Sequence, residues 1–161
     1  MGRKAALRYL LERSFRDSPY HSFMSSLKGV TEEMSRWVPP GYKGYPHMDG
    51  TILNLTYHTG GDKFVLMSLG FGDGSWTWPK VEQKFKEMGG DLAAAKALSE
   101  EGIALVLDTL DDWPEDRLDE PRPYLRGKTH TAFEIFSIVA EHDVYHAGQI
   151  NYVRNLIAGR S

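Results

Sequence analysis

His142 and His146 stand one helical turn apart in the run TAFEIFSIVAEHDVYHAGQINYVRNLIA, Thr131 to Ala158. If the run is helical their side chains converge on one point, the geometry of a two-histidine metal clamp. The run carries the marks of one long helix. Thr131 and Glu134 form an S/T-x-x-E capping box at its start, and Gly159 follows its end, where a left-handed residue is favoured. At about 100° per residue, Ile135, Val139, His142, His146, Gln149, Ile150, Val153 and Ile157 share one face. Glu141, Gly148, Asn151 and Asn155 point the other way. A single histidine in an apolar stripe is more often a satisfied core residue than a ligand. Two at i and i+4 are costly to bury unless their nitrogens find partners, and one divalent ion satisfies both.

The same anomaly occurs a second time. A helix is expected over about Thr51 to Leu69, capped by Asp49, with Leu55, Val65, Leu66 and Leu69 on its apolar face. His58 and Asp62, again i and i+4, share that face. Gly60 and Gly61 in its middle cost about 1 kcal/mol each relative to alanine. A close approach of two helices, a nearby metal site or a break in the helix would each account for them. Together His58, His142 and His146 make a three-nitrogen set that suits Zn, Ni, Fe or Cu. Three protein ligands leave a position for water or substrate, which is the pattern of a catalytic rather than a structural site. Asp62 is then either a fourth ligand or an acceptor that orients an imidazole, and Gln149 is a second candidate for that orienting role.

Four long helices must position these residues. The first is RKAALRYLLERSFR, Arg3 to Arg16, with Ala6, Leu7, Leu10, Leu11 and Phe15 as its stripe. Ser18 and Pro19 read as the N-cap and first position of a second piece, Tyr20 to Lys28, presenting Phe23, Met24 and Leu27. Thr31 opens a short turn of helix through Trp37. VPPGYKGYPHMDG, Val38 to Gly50, has the proline and glycine content of a loop. Gly70 to Gly90 is a long connection with a short helix near Val81 to Met88. Trp76 and Trp78 within it either pack internally, line a pocket or meet a partner chain, packing being the default. Asp91 to Leu110 is the third long helix, with Leu92, Ala95, Leu98, Ile103, Val106 and Leu110 in register. The proline-rich run DDWPEDRLDEPRPYLRGKTH leads as loop into the capping box. His21, His47 and His130 are expected at the surface, and Arg154 as a solvated side chain unless it meets a substrate carboxylate. The result is an all-α four-helix bundle with long loops and nearly no strand signal.

The chain has 161 residues, enough for one domain, 1–161, with a real core. A net charge of −3 with both signs spread along the chain carries no basic stripe for nucleic acid. No apolar run approaches the roughly 18 residues of a membrane span, and a cytoplasmic location is expected. There are no cysteines, so a metal must be held by nitrogen and oxygen, and thiol chemistry must use a thiol brought by a substrate.

Two other metal patterns fail on the sequence. HDVYH has the H-x-x-x-H shape of a zincin, with Asp143 at the general-base position. That aspartate is one methylene short, and no His, Asp or Glu follows His146 to supply a third ligand. A di-iron carboxylate bundle needs Glu-x-x-His pairs, and none occurs.

An internal histidine on the second long helix followed by HDVYHAGQINYVRNL on the last resembles the DinB/YfiT-like metalloprotein superfamily. LKGVTEEMSRWVP is similar to that family's segment after the first helix and TILNLTYHTGGDKFVLMSLG to its second helix with the ligand histidine, and the H-x-x-x-H-x-G-Q run is the most specific part. The resemblance implies a DinB-like four-helix bundle of unusual connectivity, commonly homodimeric, with His58, His142 and His146 as the ligands of a divalent ion. Zinc or nickel is expected first, then iron, manganese or copper. Ala147 stands where the family usually has arginine, so no role of that arginine carries over. The implied activity is that of a thiol-dependent S-transferase or a relative with a low-molecular-weight thiol as cosubstrate. The alternative is a non-catalytic metal-binding, stress-response or dimerisation bundle.

Overall fold

The computed structural model describes residues 2–43 and 48–159. The expectation for His47 falls outside them. The helices are α1 (Arg3–Glu12), α2 (Phe23–Ser26), α3 (Glu32–Ser35), α4 (Ile52–Phe71), α5 (Trp78–Glu87), α6 (Leu92–Asp112) and α7 (Ala132–Ala158). A two-stranded antiparallel hairpin, β1 (Pro121–Pro123) and β2 (Thr129–Thr131), sits between α6 and α7, with Pro121 opposite Thr131. The four long helices close a ring. α4 packs against α6 and α7, and α1 closes the other side against the same two. Leu7, Leu11, Phe15, Leu55, Leu66, Ile103, Val106, Leu110, Ile135, Phe136, Val139 and Ile150 are buried in one core between them.

Local chemistry explains where each element begins. Thr131 caps α7 through a full capping box: its N–H donates to Glu134 Oε2 at 2.7 Å, and Glu134 N–H donates to its Oγ1 at 3.2 Å. Asp91 caps α6 by accepting from Ala94 N at 2.8 Å. α4 is capped by Thr51, not by Asp49. Asp49 Oδ1 accepts instead from Thr51 N and Oγ1, so it holds the cap residue rather than the helix. The first helix is not regular α-helix up to its expected end at Arg16. It continues from Arg13 to Asp17 as a π-helical turn, closed by Ser18 N donating to Arg13 O at 3.2 Å. Ser18 caps only the turn to His21, and Ser22 caps α2, so Pro19 is not at a helix start. Leu10, expected in the core stripe, is half exposed.

Gly60 and Gly61 lie in unbroken helix within α4. A Cβ on Gly60 would stand 2.9 Å from Ser99 N, and one on Gly61 would stand 2.6 Å from Val81 and 2.9 Å from Trp78. Of the readings open for them, the close approach is the one observed. The hairpin is the one strand feature that the proline-rich run concealed. Arg122 of β1 donates to Gly70 O at 2.7 Å and so satisfies a carbonyl at the C-terminus of α4. α7 ends without a left-handed residue: Gly159 has φ −71°. Among the described residues no helix is long and apolar enough to cross a membrane.

Candidate metal centre

α4 brings His58 and α7 brings His142 and His146 to one point. One ring nitrogen from each of the three lies within 4.8 Å of the other two. The His58 ring is 5.1 Å from each of the other rings, and His142 and His146 are 4.3 Å apart between centroids. His142 Nε2 and His146 Nε2 face one another at 2.9 Å. His146 is buried, whereas His58 and His142 keep part of their surface open.

The surroundings set which nitrogens face inward. Gln149 Nε2 donates to the Tyr145 hydroxyl at 3.2 Å, which turns its Oε1 toward His146 Nδ1 at 2.7 Å. An amide oxygen only accepts, so His146 carries its proton on Nδ1 and presents a lone pair at Nε2. Asp62 Oδ2 lies 3.6 Å behind His142 Nδ1, beyond hydrogen-bond length but close enough to favour a proton there. With both Nδ1 atoms protonated, two lone pairs point at each other across 2.9 Å. A cation between them would satisfy both lone pairs. Nitrogen ligands at about 2.0–2.1 Å from a tetrahedral ion lie roughly 3.3 Å apart, so a small opening of the pair accommodates one. The donor set fits a divalent ion.

Electrostatics keeps two of the imidazoles neutral. Burial pushes His142 down to about 2, helped by the neighbouring imidazoles of His146 and His58 and by Lys63. Burial likewise lowers His146 to about 4, against the pull of Gln149. Both are therefore neutral at pH 7, the form that binds metal. Burial raises Asp62 to about 6; Lys63 opposes the rise and Asp143 adds to it. Trp78 lies flat on His58, with 5.3 Å between ring centroids and 7° between planes. Tyr57 packs edge-on against Trp78 and is itself held by Phe85. Gly61 makes this stack possible by leaving room under the indole.

Of the other residues singled out in the sequence, Asp62 and Gln149 each stand behind an imidazole. Trp76 packs on Phe64. Both tryptophans thus belong to the chain's own packing. His21 is exposed, and His130 is half-buried against Tyr124, 3.5 Å from Glu134. Arg154 is half-buried and not simply solvated: it donates to Ser26 O at 2.9 Å and ties α2 to α7. Sequence reasoning passed over one feature. Lys63 and Asp143, each next in sequence to a residue of the site, are completely buried and paired with one another. The available signal is a lysine inside the apolar run KFVLMSL and an aspartate inside the apolar stretch of α7.

A four-helix bundle with three imidazoles converging from two helices defines a class of helical bundle able to hold a metal ion. The chain matches the family model of the DinB superfamily over residues 20–150 and belongs to that superfamily. No curated protein and no solved structure matches it. Family and three-histidine group together are compatible with a divalent-metal site.

Proposed function

We propose that the protein is a metal-dependent enzyme acting on the sulfur of a low-molecular-weight thiol, with His58, His142 and His146 holding a divalent ion, zinc or nickel first. The observation that carries this reading is a set of three converging imidazoles, of which buried His142 and His146 are neutral, with an edge that remains open at His58 and His142. When bound there, the ion would act as a Lewis acid that lowers the pKa of a coordinated thiol or water. The chain has no cysteine, so the nucleophilic sulfur comes with a substrate. In the transfer this sulfur forms a bond to an electrophilic carbon as that carbon's bond to its leaving group breaks, and the leaving group departs with the bonding pair while the thiol proton passes to solvent. Gln149 and Tyr145 hold the His146 tautomer, Asp62 orients His142, and Trp78 shields one face of His58 from water.

The same reading places the protein in the cytoplasm as a homodimer. Val144, Tyr145 and Tyr152 are exposed on the outer face of α7, and Leu10 is exposed on α1 beside it. These apolar side chains also favour the second reading, a metal-binding bundle whose work is association rather than catalysis. The test is consumption of small thiols in the presence of electrophilic acceptors, with zinc- or nickel-loaded wild type against His142→Ala. Turnover in the loaded wild type alone supports the enzyme. Equal rates for both proteins would overturn it in favour of the non-catalytic bundle.

A further inference from the structure

We propose that Lys63 and Asp143 are positioning residues, whose buried ion pair sets the register of α4 on α7 and thereby holds His58 against the His142–His146 pair. The proposal rests on the metal-site reading above. Lys63 follows Asp62 and lies five residues after His58; Asp143 follows His142 and precedes His146 by three. The pair therefore joins the two ligand-bearing helices at the level of the ligands.

Its surroundings are built for it. The side chains are 2% and 0% exposed, so neither charge has water to fall back on. The ammonium of Lys63 donates to Asp143 Oδ1 and, at 3.2 Å, to the carbonyl of Thr59, the residue after His58. It lies 5.5 Å from the Phe15 ring centre and 5.6 Å from that of Phe23. Its stem runs past Gly102 of α6, where a Cβ would come within 3.1 Å of Lys63 Cβ. Asp143 Oδ2 is buried with no hydrogen-bond partner among the described residues.

Stability alone is a poor explanation of such a pair. Well-packed apolar replacements of buried ion pairs are often as stable or more so, and fixing register is the best-attested use of buried polar groups. Apolar contacts between α4 and α7, such as Gly70 against Ile135, are non-directional and specify register less sharply than a charge pair. A slip of one residue, about 1.5 Å along a helix, would strand two buried charges. The ion pair admits one alignment, and that alignment is the one in which three imidazoles meet.

The test compares wild type with the double variant Lys63→Met/Asp143→Leu. Thermal melting of the metal-free proteins, zinc affinity by competition with a chelating dye, and the visible spectrum of the cobalt(II)-loaded forms are measured. The double variant is expected to melt at or above the wild-type temperature, yet to bind zinc about 10- to 100-fold more weakly, the range for lost outer-shell support. Its cobalt bands should also change in position or intensity. Wild-type zinc affinity with an unchanged cobalt spectrum in the folded double variant overturns the proposal. If that variant does not fold, Lys63→Met/Asp143→Asn keeps the shapes and removes both charges, and the same two outcomes decide. A wild type that takes up no zinc or cobalt would be a failure of the metal reading itself, distinct from either result.

Discussion

Replacing Gly60 by alanine tests how closely α4 and α6 must approach to carry His58. The added Cβ would stand 2.7 Å from Ser99 Oγ, 2.9 Å from Ser99 N and 3.0 Å from Ser99 Cα. Ordinary contact between carbons needs about 3.5–4.0 Å, so α6 must retreat by roughly half an ångström or more. Two of the three clashing atoms are backbone and cannot rotate away. Such overpacking costs about 1–3 kcal/mol. The retreat also stretches the Ser99 hydroxyl's 3.3 Å bond to Thr56 O, worth about 1 kcal/mol. Against this, alanine gains about 1 kcal/mol over glycine in a helix interior. The net is a loss of about 1–3 kcal/mol, or roughly 2–10 °C in melting temperature for a domain of this size. Gly148 provides the control. It lies in α7 with nothing within 4 Å of its virtual Cβ, so Gly148→Ala keeps the helix gain with no clash. Its melting temperature should rise by about 2–4 °C. Circular dichroism melts of the three metal-free proteins decide the matter. Gly60→Ala melting at or above wild type, in the series where Gly148→Ala rises, would refute the close-approach argument.

In the metal-free chain burial holds His142 at about 2 and His146 at about 4, below the ordinary 6.5 that applies once the chain unfolds. Their contribution to stability is therefore present above about pH 6.5 and lost as pH falls through 4. Asp62, raised to about 6 from 3.8, acts in the opposite sense, its contribution being lost as pH rises through 6. Two imidazoles outweigh one carboxylate, so the melting midpoint should fall from about pH 7 to about pH 4.5. His142→Gln/His146→Gln should flatten that fall, and an unflattened curve would count against buried neutral histidines. Trp78 stacks on His58, so zinc should alter tryptophan emission in wild type and in Trp76→Phe but not in Trp78→Phe; an equal response from all three would contradict the stack. Thr131→Ala removes half of the capping box on α7 and should lower stability by about 1 kcal/mol in urea denaturation, whereas an unchanged midpoint would show the cap to be idle.

The three histidines were legible because each breaks an apolar stripe, and a stripe is a strong periodic signal. The capping box at Thr131 was legible for a different reason: its two partners are three residues apart, and the bonds they make are local. What escaped depends on partners far along the chain. Lys63 and Asp143 are separated by 80 residues, and neither spacing nor composition couples them. Arg154 meets a carbonyl 128 residues away, and alone it reads as a solvated cation. The π-helical turn after α1 was invisible because residues Arg13 to Asp17 have no composition distinct from an ordinary helix. In the hairpin, three prolines between Asp111 and Thr131 argued for loop, and Pro121 and Pro123 occupy a strand that has one free edge, where a missing donor costs little.

The central claim is that His58, His142 and His146 form one metal centre. Metal content of protein purified without a nickel column, measured by mass spectrometry for wild type and His142→Ala, tests it most directly. About one divalent ion per chain in wild type, lost in a variant that still folds, is the predicted result. A folded wild type that is empty and takes up neither added zinc nor nickel would contradict the account, leaving the three imidazoles as polar residues of the core.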